Sequence, residues 1–495
     1  MDCFMGLDFG TQSIRCGIFD KKGAAIGLGE CKYETYYPHA GWAEQDPREW
    51  ETALMEAVVL AKAEAGEVFE RIRGIGICAT SSTVVMASRD GKAMDRAILW
   101  MDNRAKKQAE RINATKNPVL RYCGNEVSVE WLLPKILWLK ENRSEQYQAA
   151  DVICEMQDYM NHHLTGRWCA SVSQATCKAN YVEELGGFQK DFLNEIGLPD
   201  YFEKTNTEVL KQGRLVGYLR EDMAKAFGLG TVPVYQGGID AHTNMIGLGV
   251  TKPGDMGAVM GTSFVHLAVT DAPVFTEGIW GPYKNAIVPD LYCMEGGQVS
   301  AGSITKWFIK EFKIGGDNPY MMIAEEAKNI AAGSDGVICL DFFQGNRTPY
   351  KDPSAKGVFY GLTLSHTRAH LYRSVLEGIA FGTKNIIDSI QQGEVKIHSL
   401  MGCGGVTFND MWLQIIADVT GKPIVLTEHS GNAGVLGGAI IAAVGCGAFG
   451  DFTAATQHMV TITETVQPNP QLYSVYEEAY QKYIAIYGQL KTLMK

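Results

Sequence analysis

The chain of 495 residues is too long for one hydrophobic core, which predicts two or three domains. Hydrophobic residues make up 46% of the sequence and charged residues 20%, as is typical of a soluble globular protein. The formal net charge of -11 argues against a nucleic-acid-binding protein, which would usually carry a basic face. An acidic total still allows a local basic pocket for an anionic substrate.

The sequence has neither a membrane-spanning apolar run nor the pattern of a signal peptide in its first residues, MDCFMGLDFG. Its 12 cysteines stand singly, without a C-x-x-C pair, which favours reduced thiols over a zinc ribbon or a disulfide framework. These features predict a cytoplasmic protein that binds neither membranes nor nucleic acids.

The segment CFMGLDFGTQSIRCGIFDKKG predicts two short strands joined by a tight turn. The turn residues, which combine a flexible backbone with side-chain donors, are Gly10, Thr11, Gln12 and Ser13. Such a turn can receive a phosphate, and Asp8 beside it can bind a metal ion. An ordinary hairpin turn would contain the same residue types, so this segment alone leaves both interpretations open.

A helix is well marked in DPREWETALMEAVVLAKAEAG. Asp46 is its expected N-cap, Pro47 its first residue, and Glu49 completes an expected capping box. The apolar run IRGIGIC then predicts a buried strand. Strands that alternate with helices predict an α/β sheet covered by helices.

The segment GDMGAVMGTSFVHLAVTDAP repeats the strand, small-residue turn and strand of the first segment. This echo predicts a duplicated domain, with Gly261 and Thr262 in the second turn. Two such turns facing each other would hold a polyphosphate in a cleft between the domains. A chance likeness between two short segments is the alternative.

Two further glycine-rich segments are candidates for a nucleotide site. GCGGVTFND follows the strand-like IHSLM and precedes the helix-like MWLQIIADVTG, a layout that lets a base or a phosphate approach the backbone. GNAGVLGGAIIAAVGCG predicts a helix of small residues, suited to close packing or to leaving room for a nucleotide. A Walker A string is absent from the sequence.

The segment VYQGGIDAHTNMIGLG predicts a strand that delivers Asp240 through two glycines. A carboxylate at a strand end can reach a substrate hydroxyl as a general base. Asp240 could equally be the N-cap of the helix that follows, and the residues alone do not separate the two roles.

Together these segments resemble the FGGY carbohydrate kinase family, in the sugar kinase–Hsp70–actin fold. The resemblance covers essentially the whole chain, and its motifs occur in family order: LDFGTQSIR, GGIDAH, MGTS, GGQVSAGSITKWF, GCGGVTFND and GLTLSHTRAHLYRSVLEGIAFGTKNI. It implies an α/β protein of two duplicated actin-like, ribonuclease H-like domains, residues 1–245 and 246–495, with a catalytic cleft between them.

The resemblance also implies ATP-dependent phosphorylation of a sugar hydroxyl. Asp240 would accept the hydroxyl proton, and Asp8 would hold Mg²⁺. Residues of both domains would bind ATP, namely Gly10, Thr11, Gln12, Ser13, Arg15, Gly261, Thr262, Gly302, Lys306, Gly404, Gly405 and Asn409.

The sugar-binding segments are most similar to those of the ribulokinase branch. CATSSTVV follows GIGI where glycerol kinases carry Arg-Glu and xylulose kinases Met-His, and DAH follows the catalytic strand. ATCKANY and MEGGQ resemble segments in which that branch places a lysine and a glutamate in the sugar pocket. The expected substrate-binding residues are Ala79, Trp100, Asp102, Lys178, Asp240 and Glu295.

The expected partner is therefore a small open-chain ketose, most of all a ketopentose such as ribulose. Xylulose, another ketose, or a polyol such as erythritol or glycerol remain open as substrates. A homodimer is one expectation for the assembly state, which the sequence does not determine.

Two other classes of function compete with a kinase. A non-catalytic nucleotide-binding regulator of the same fold would be favoured by loss of the base or of a phosphate turn, but Asp8, Asp240 and both turns are present. An NAD-dependent oxidoreductase would rest on GIGICA at Gly74 and on Asp95 as the ribose-binding acid. GIGICA has no good helix start after it, and Asp95 sits in a charged turn, so this is the weaker alternative.

Overall fold

The computed structural model describes residues 2–392 and 395–494. Its strands, β1 to β21 in chain order, are Cys3–Phe9, Ser13–Asp20, Ala25–Lys32, Glu44–Gln45, Ile72–Ala79, Val84–Ala87, Ala97–Ile98, Val152–Glu155, Ala170–Ser171, Val209–Leu210, Leu215–Tyr218, Pro233–Ile239, Asp255–Met260, Phe264–Thr270, Trp280–Lys284, Tyr292–Gln298, Ile338–Leu340, Val358–Tyr360, Ser399–Cys403, Ile424–Thr427 and Ile462–Val466.

The α-helices, α1 to α17, are Pro47–Ala65, Lys106–Ala114, Leu132–Asn142, Ser144–Ala149, Met156–Thr165, Val172–Lys178, Lys190–Ile196, Tyr201–Lys204, Glu221–Phe227, Asp240–Gly247, Gly302–Glu311, Pro319–Lys328, Arg368–Gln391, Asp410–Thr420, Ala433–Gly445, Phe452–Met459 and Tyr473–Leu490. Short 3-10 helices span Gly66–Arg71, Pro118–Cys123, Glu183–Leu185, Ser334–Gly336, Gly405–Phe408, Ser430–Asn432 and Pro470–Leu472.

Two large mixed sheets organise these elements. The first has the strand order β11-β12-β5-β1-β2-β3, and the second β15-β16-β14-β13-β19-β20-β21. In each sheet a hairpin (β1 with β2, or β13 with β14) is antiparallel, and its first strand pairs in parallel with a strand from further along the chain. The second sheet repeats the order of the first with β15 added at one edge. The predicted duplicated α/β fold is confirmed.

Both predicted hairpins form. β1 and β2 pair from Cys3 opposite Asp20 to Phe9 opposite Ile14, so only the turn residues are left unpaired. The string GIGICA lies within β5, which excludes a dinucleotide-binding turn there.

Helix α1 begins as predicted, with one difference in its cap. The Asp46 side chain accepts a hydrogen bond from the Arg48 amide at 3.0 Å. Glu49, expected to complete a capping box, instead accepts from the Glu34 amide at 3.1 Å and the Tyr36 hydroxyl at 2.5 Å. These hydrogen bonds to the segment before α1 draw the Glu49 carboxylate away from the N-terminus of the helix. The predicted apolar stripe of α1 is buried, at Trp50, Leu54, Ala57, Val58 and Ala61.

Helix α15 comes from the second half of the chain but packs on the first sheet. A Cβ on Gly76 of β5 would lie 2.0 Å from the Gly438 carbonyl oxygen, and one on Gly6 of β1 would lie 1.9 Å from the Val435 carbonyl oxygen. Gly6 and Gly76 of the sheet and Gly438 of α15 therefore serve backbone-to-backbone packing. Of the two interpretations of this small-residue helix, the contacts show close packing.

None of the 12 cysteines, all of which lie in the described residues, forms a disulfide bond. Within residues 2–392 and 395–494, no helix combines the length and the apolar character needed to cross a bilayer.

Candidate active site

Three strand ends of the first sheet bring the predicted motifs side by side. Phe9 of β1 and Ile239 of β12 both pair with Ala79, the last residue of β5. The first predicted phosphate turn begins directly after Phe9, and Asp240 directly follows Ile239. Parallel strands that end at one edge thus gather the turn, the predicted sugar segment and the candidate base.

The first turn is closed by its own backbone and held by side chains that the sequence analysis missed. The Gly10 amide donates to the Ser13 carbonyl at 3.0 Å. The Tyr33 hydroxyl donates to the Gly10 carbonyl and lies 3.1 Å from the Ser13 carbonyl. Gln45 donates its side-chain amide to the Thr11 carbonyl at 2.7 Å. These contacts leave Gln12 exposed at the tip, while the Ser13 hydroxyl donates to Glu30 on β3 at 2.6 Å.

The second turn is also closed by a bond from its glycine amide, over three residues where the first turn has four. The Gly261 amide donates to the Ser263 carbonyl at 3.1 Å. The start of α11 closes on the turn, because the Gly302 amide donates to the Gly261 carbonyl at 3.2 Å. A Cβ on Gly302 would lie 2.5 Å from that oxygen, so only glycine permits the approach. Thr262 at the tip is exposed.

Asp8 lies beneath the first turn, 1% exposed. The Arg15 guanidinium lies 3.2 Å from its carboxylate, and the Cys78 thiol lies 3.5 Å from its other oxygen. Burial raises the pKa of Asp8, whereas the charge of Arg15 and the hydrogen bond from Cys78 lower it by less. Arg15 also donates to the Gly431 carbonyl at 3.2 Å, joining the first turn to the chain that enters α15.

Asp240 is the first residue of α10 and not its N-cap, which is Ile239. Its carboxylate accepts from the Ala241 amide at 2.7 Å. Burial and the nearby charge of Asp8 raise the pKa of Asp240 to about 7, against the amide hydrogen bond and the positive charges of Arg15 and Lys178. Both the ionised and the protonated form of the Asp240 carboxylate are therefore populated at neutral pH.

Lys178 and Glu295 come together from the two halves of the chain. Burial raises the pKa of the Cys177 thiol, Lys178 lowers it and Glu295 raises it, so both charges lie near that sulfur. Lys178 is the last residue of α6, and its ammonium group lies 5.3 Å from the centre of the Trp131 ring. Glu295 lies on β16 between paired residues of β14 and β15. The positive charge of Lys178 also lowers the pKa of Asp240, so this member of the predicted sugar-binding pair lies near the candidate base.

Trp100 contacts the first turn directly. Its indole Nε1 donates to Thr11 Oγ1 at 3.0 Å. Its backbone is held by Lys135, a fully buried residue whose Nζ donates to the carbonyls of Ser82, Leu99 and Trp100 at 2.8, 2.6 and 3.3 Å. The sequence analysis did not single out Lys135, since a lysine in an apolar helix pattern gives no sign of its partners.

Asp102 is engaged in a buried ion pair. Its oxygens accept from the Arg104 side chain at 2.8 and 2.7 Å and from the Ala43 amide at 2.6 Å. In the described part of the chain, no hydrogen bond or ion pair joins Asp102 to Lys178 or Asp240. Its place in the sugar site remains a prediction.

A cavity of about 740 Å³ opens beside the second turn. Among the predicted nucleotide-binding residues, those that line it are Gly261, Thr262, Gly302, Lys306, Gly405 and Asn409. Gly404 turns the chain just before it with a φ of 99°, and the Asn409 side chain also caps α14 by accepting from the Trp412 amide at 3.1 Å.

The same cavity is lined by aromatic residues that the sequence analysis missed. Phe408 is 91% exposed, and Tyr320 of α12 is 44% exposed. Such rings can stack on a flat base. Phe408 was visible as an aromatic residue in the glycine-rich string GCGGVTFND, whereas Tyr320 lies about 90 residues earlier in the chain and only folding brings it there.

Comparison with known proteins identifies the family. Residues 3–247 match the N-terminal domain of the FGGY family of carbohydrate kinases, and residues 256–446 match the C-terminal domain of that family. The chain belongs to the FGGY family. It is a carbohydrate kinase, which excludes the oxidoreductase alternative and confirms the predicted class of enzyme.

This FGGY kinase is similar along nearly its whole length to several relatives. An FGGY carbohydrate kinase domain-containing protein from Xenopus laevis is 30% identical, over 99% of this chain and 96% of the relative. A ribulokinase from Halalkalibacterium halodurans is 28% identical, over 98% and 94% of the two chains. The crystal structure of xylulose kinase from Rhodospirillum rubrum is 25% identical, with a TM-score of 0.91 over 99% of each chain.

Proposed function

We propose that this kinase transfers the terminal phosphoryl group of ATP to a terminal hydroxyl of a small open-chain ketose, a ketopentose such as ribulose. The observation that carries the proposal is that Asp240 follows the strand end next to the first turn, with Lys178 near enough to lower its pKa, and that Lys178 and Glu295 both act on the pKa of the Cys177 thiol. A lysine can donate to the ketose carbonyl, and a carboxylate can accept from hydroxyls. The similarity to a ribulokinase supports the choice of sugar.

Asp240 acts as the general base in this proposal. The proton of the sugar hydroxyl moves to the Asp240 carboxylate while the hydroxyl oxygen bonds to the γ-phosphorus and ADP leaves. A pKa of about 7 suits a group that must accept a proton near neutral pH. Because phosphoryl transfer requires mainly alignment and charge neutralisation, the two turns and Arg15 contribute by binding phosphate oxygens.

Asp8 is the proposed ligand for Mg²⁺. Magnesium in kinases is usually held by one or two carboxylates together with substrate phosphates, and a buried carboxylate beside a phosphate turn fits that pattern. Within the described residues, no three His, Cys, Asp or Glu side chains gather as a metal site. When bound, the ion would neutralise charge on the phosphates.

The nucleotide occupies the cavity beside the second turn in this proposal, and the chain divides functionally into residues 1–245 and 246–495. The first part supplies the sugar site, the first turn and Asp240. The second supplies the second turn and the nucleotide pocket. Closure of the cleft would exclude water that could otherwise accept the phosphoryl group.

The test is ADP release with Mg-ATP across ketopentoses, aldopentoses, glycerol, erythritol and hexuloses, each against a reaction without sugar. Phosphorus NMR of the product locates the new ester. Preference for D- or L-ribulose with a terminal phosphate supports the proposal. Preference for xylulose would keep the ketopentose class and overturn the choice of ribulose, and preference for a polyol would keep the mechanism and overturn the choice of a ketose. Turnover of none of these sugars would contradict the proposed function.

A further inference from the structure

Arg347 is a cation that the mechanism above does not use. It lies in the loop between β17 and β18, and its side chain is exposed. Its guanidinium lies 5.4 Å from the centre of the Trp280 ring. Within residues 2–392 and 395–494, no carboxylate lies within 4.0 Å of it, whereas Arg104 and Arg373 each have such a partner.

Arg347 lies on the face of β16 that carries Glu295. Glu295 and Gly297 are two residues apart on this strand, so they share a face. Trp280 on β15 is paired with Glu295. A Cβ on Gly297 would lie 3.6 Å from Arg347 Cδ and 3.9 Å from Nη1, so the arginine side chain occupies the space that Gly297 leaves open.

The same position is next to the second phosphate turn. The Cβ built on Gly297 would lie 3.1 Å from the carbonyl oxygen of Phe264, the residue that directly follows Ser263 of the turn. Trp131, from the first half of the chain, packs edge-on against Trp280 with ring centres 6.4 Å apart, and its ring is also the one beside the Lys178 ammonium group. Arg347 therefore lies between the predicted sugar-binding residue Glu295 and the second turn.

A guanidinium without a carboxylate partner has its N–H donors available, and its planar geometry matches phosphate oxygens. Lys178 already supplies a cation to the predicted sugar site, whereas the phosphoryl group would move between the two sites that Arg347 adjoins. Donors aimed at charge that is being transferred are a large source of catalysis in kinases.

We propose that Arg347 binds the phosphoryl group during its transfer and then the phosphate ester of the product. The bond from phosphorus to ADP breaks, the bond to the sugar oxygen forms, and the hydroxyl proton goes to Asp240. Arg347 keeps its own protons and only donates hydrogen bonds. This assignment rests on the proposed function of the site.

The kinetic test compares Arg347→Gln and Arg347→Lys with the wild type. The glutamine variant is expected to lose about 100-fold in kcat, with the KM for sugar and the Kd for Mg-ATP changed less than about threefold. The lysine variant keeps the positive charge but not the paired N–H donors of the guanidinium, so its kcat is expected between those of the wild type and the glutamine variant. Arg96→Gln is the matched control, since Arg96 is also exposed and stacks on a ring, 3.7 Å from the centre of Tyr36.

Two kinetic outcomes would overturn the assignment. In one, Arg347→Gln keeps more than half of the wild-type kcat. In the other, its KM for sugar rises while kcat is unchanged, which would make Arg347 a sugar contact.

A second measurement does not depend on which sugar is used. Inorganic phosphate is titrated into the protein with Mg-ADP while tryptophan fluorescence is followed, and Trp280→Phe shows whether Trp280 carries the signal. Phosphate is expected to bind at least about tenfold more weakly to Arg347→Gln than to the wild type and to Arg96→Gln. Equal phosphate binding would overturn the assignment, whereas wild-type protein that phosphorylates none of the sugars would contradict only the proposed function.

Discussion

The indole nitrogen of Trp100 donates a hydrogen bond to the hydroxyl of Thr11 at 3.0 Å. Trp100 belongs to the predicted sugar segment and Thr11 to the first phosphate turn. The two residues are 89 positions apart in the sequence, so this bond joins the two predicted binding functions within the first half of the chain.

Removing this bond is expected to weaken catalysis modestly. Trp100→Phe and Thr11→Val should each lower kcat/KM for the sugar by several-fold, since a hydrogen bond of this kind contributes about 1 kcal/mol. The double variant should lose less than the product of the two single effects, because both changes remove one interaction. The measurement is kcat/KM of the wild type, the two single variants and the double variant. If the loss in the double variant equals the product of the two single losses, the bond does not couple the two segments.

Replacing Asp240 by asparagine is expected to lower kcat by at least about 100-fold while the Kd for Mg-ATP changes little, since the amide cannot accept the hydroxyl proton. The measurement is ADP release at saturating sugar, together with calorimetric titration of Mg-ATP. Asp271→Asn, at an exposed aspartate, is the control and should leave both constants unchanged. Near-normal turnover by Asp240→Asn would exclude its role as the base.

The pH dependence of the reaction is expected to report Asp240. Below a pH of about 7 its carboxylate is mostly protonated and cannot accept a proton, so kcat/KM for the sugar should rise with pH and level off above about 7. Asp8 raises this pKa, and Arg15 and Lys178 lower it. Lys178→Met should therefore move the rise to higher pH. Lys107→Met, at an exposed lysine of α2, should not move it, and an unshifted profile in Lys178→Met would contradict the assignment.

Lys135→Met is expected to destabilise the fold by about 2 to 5 kcal/mol, because it leaves the carbonyls of Ser82, Leu99 and Trp100 without their buried donor. Denaturant unfolding measures the change. On the same helix, Lys140→Met removes a partly exposed pair with Asp200 and should cost about 1 kcal/mol or less. Equal costs for the two variants would show that the buried contacts contribute no more than a surface pair.

Gly76→Ala is expected to destabilise the contact between β5 and α15 by about 1 to 3 kcal/mol or more, because the new Cβ would lie 2.0 Å from a backbone oxygen of Gly438. Gly230→Ala is the matched control, since a Cβ there meets nothing within 4 Å. Comparison of the two unfolding midpoints tests the prediction. A midpoint for Gly76→Ala equal to that of the wild type would mean that α15 can shift away from the sheet without cost.

Local sequence patterns predicted both hairpins, helix α1 and the glycine turn before α14, because strand alternation, caps and turn residues act over a few neighbouring positions. The repeated hairpin predicted the duplicated fold, and the order of the motifs predicted the kinase family. The same patterns could not show that Glu49 would turn to the Glu34 amide, since that contact depends on how another segment packs against α1.

The amino-acid sequence by itself therefore determined the elements, the duplication and the types of residue in the candidate site. Only the tertiary structure decided which side chains meet. Tertiary packing joins the Asp102 carboxylate to the Ala43 amide, positions Trp100 through buried Lys135, and places the charges of Lys178 and Glu295, from opposite halves of the chain, near the Cys177 thiol. Such contacts depend on burial and on pairings between distant segments, which short-range periodicity and spacing do not encode.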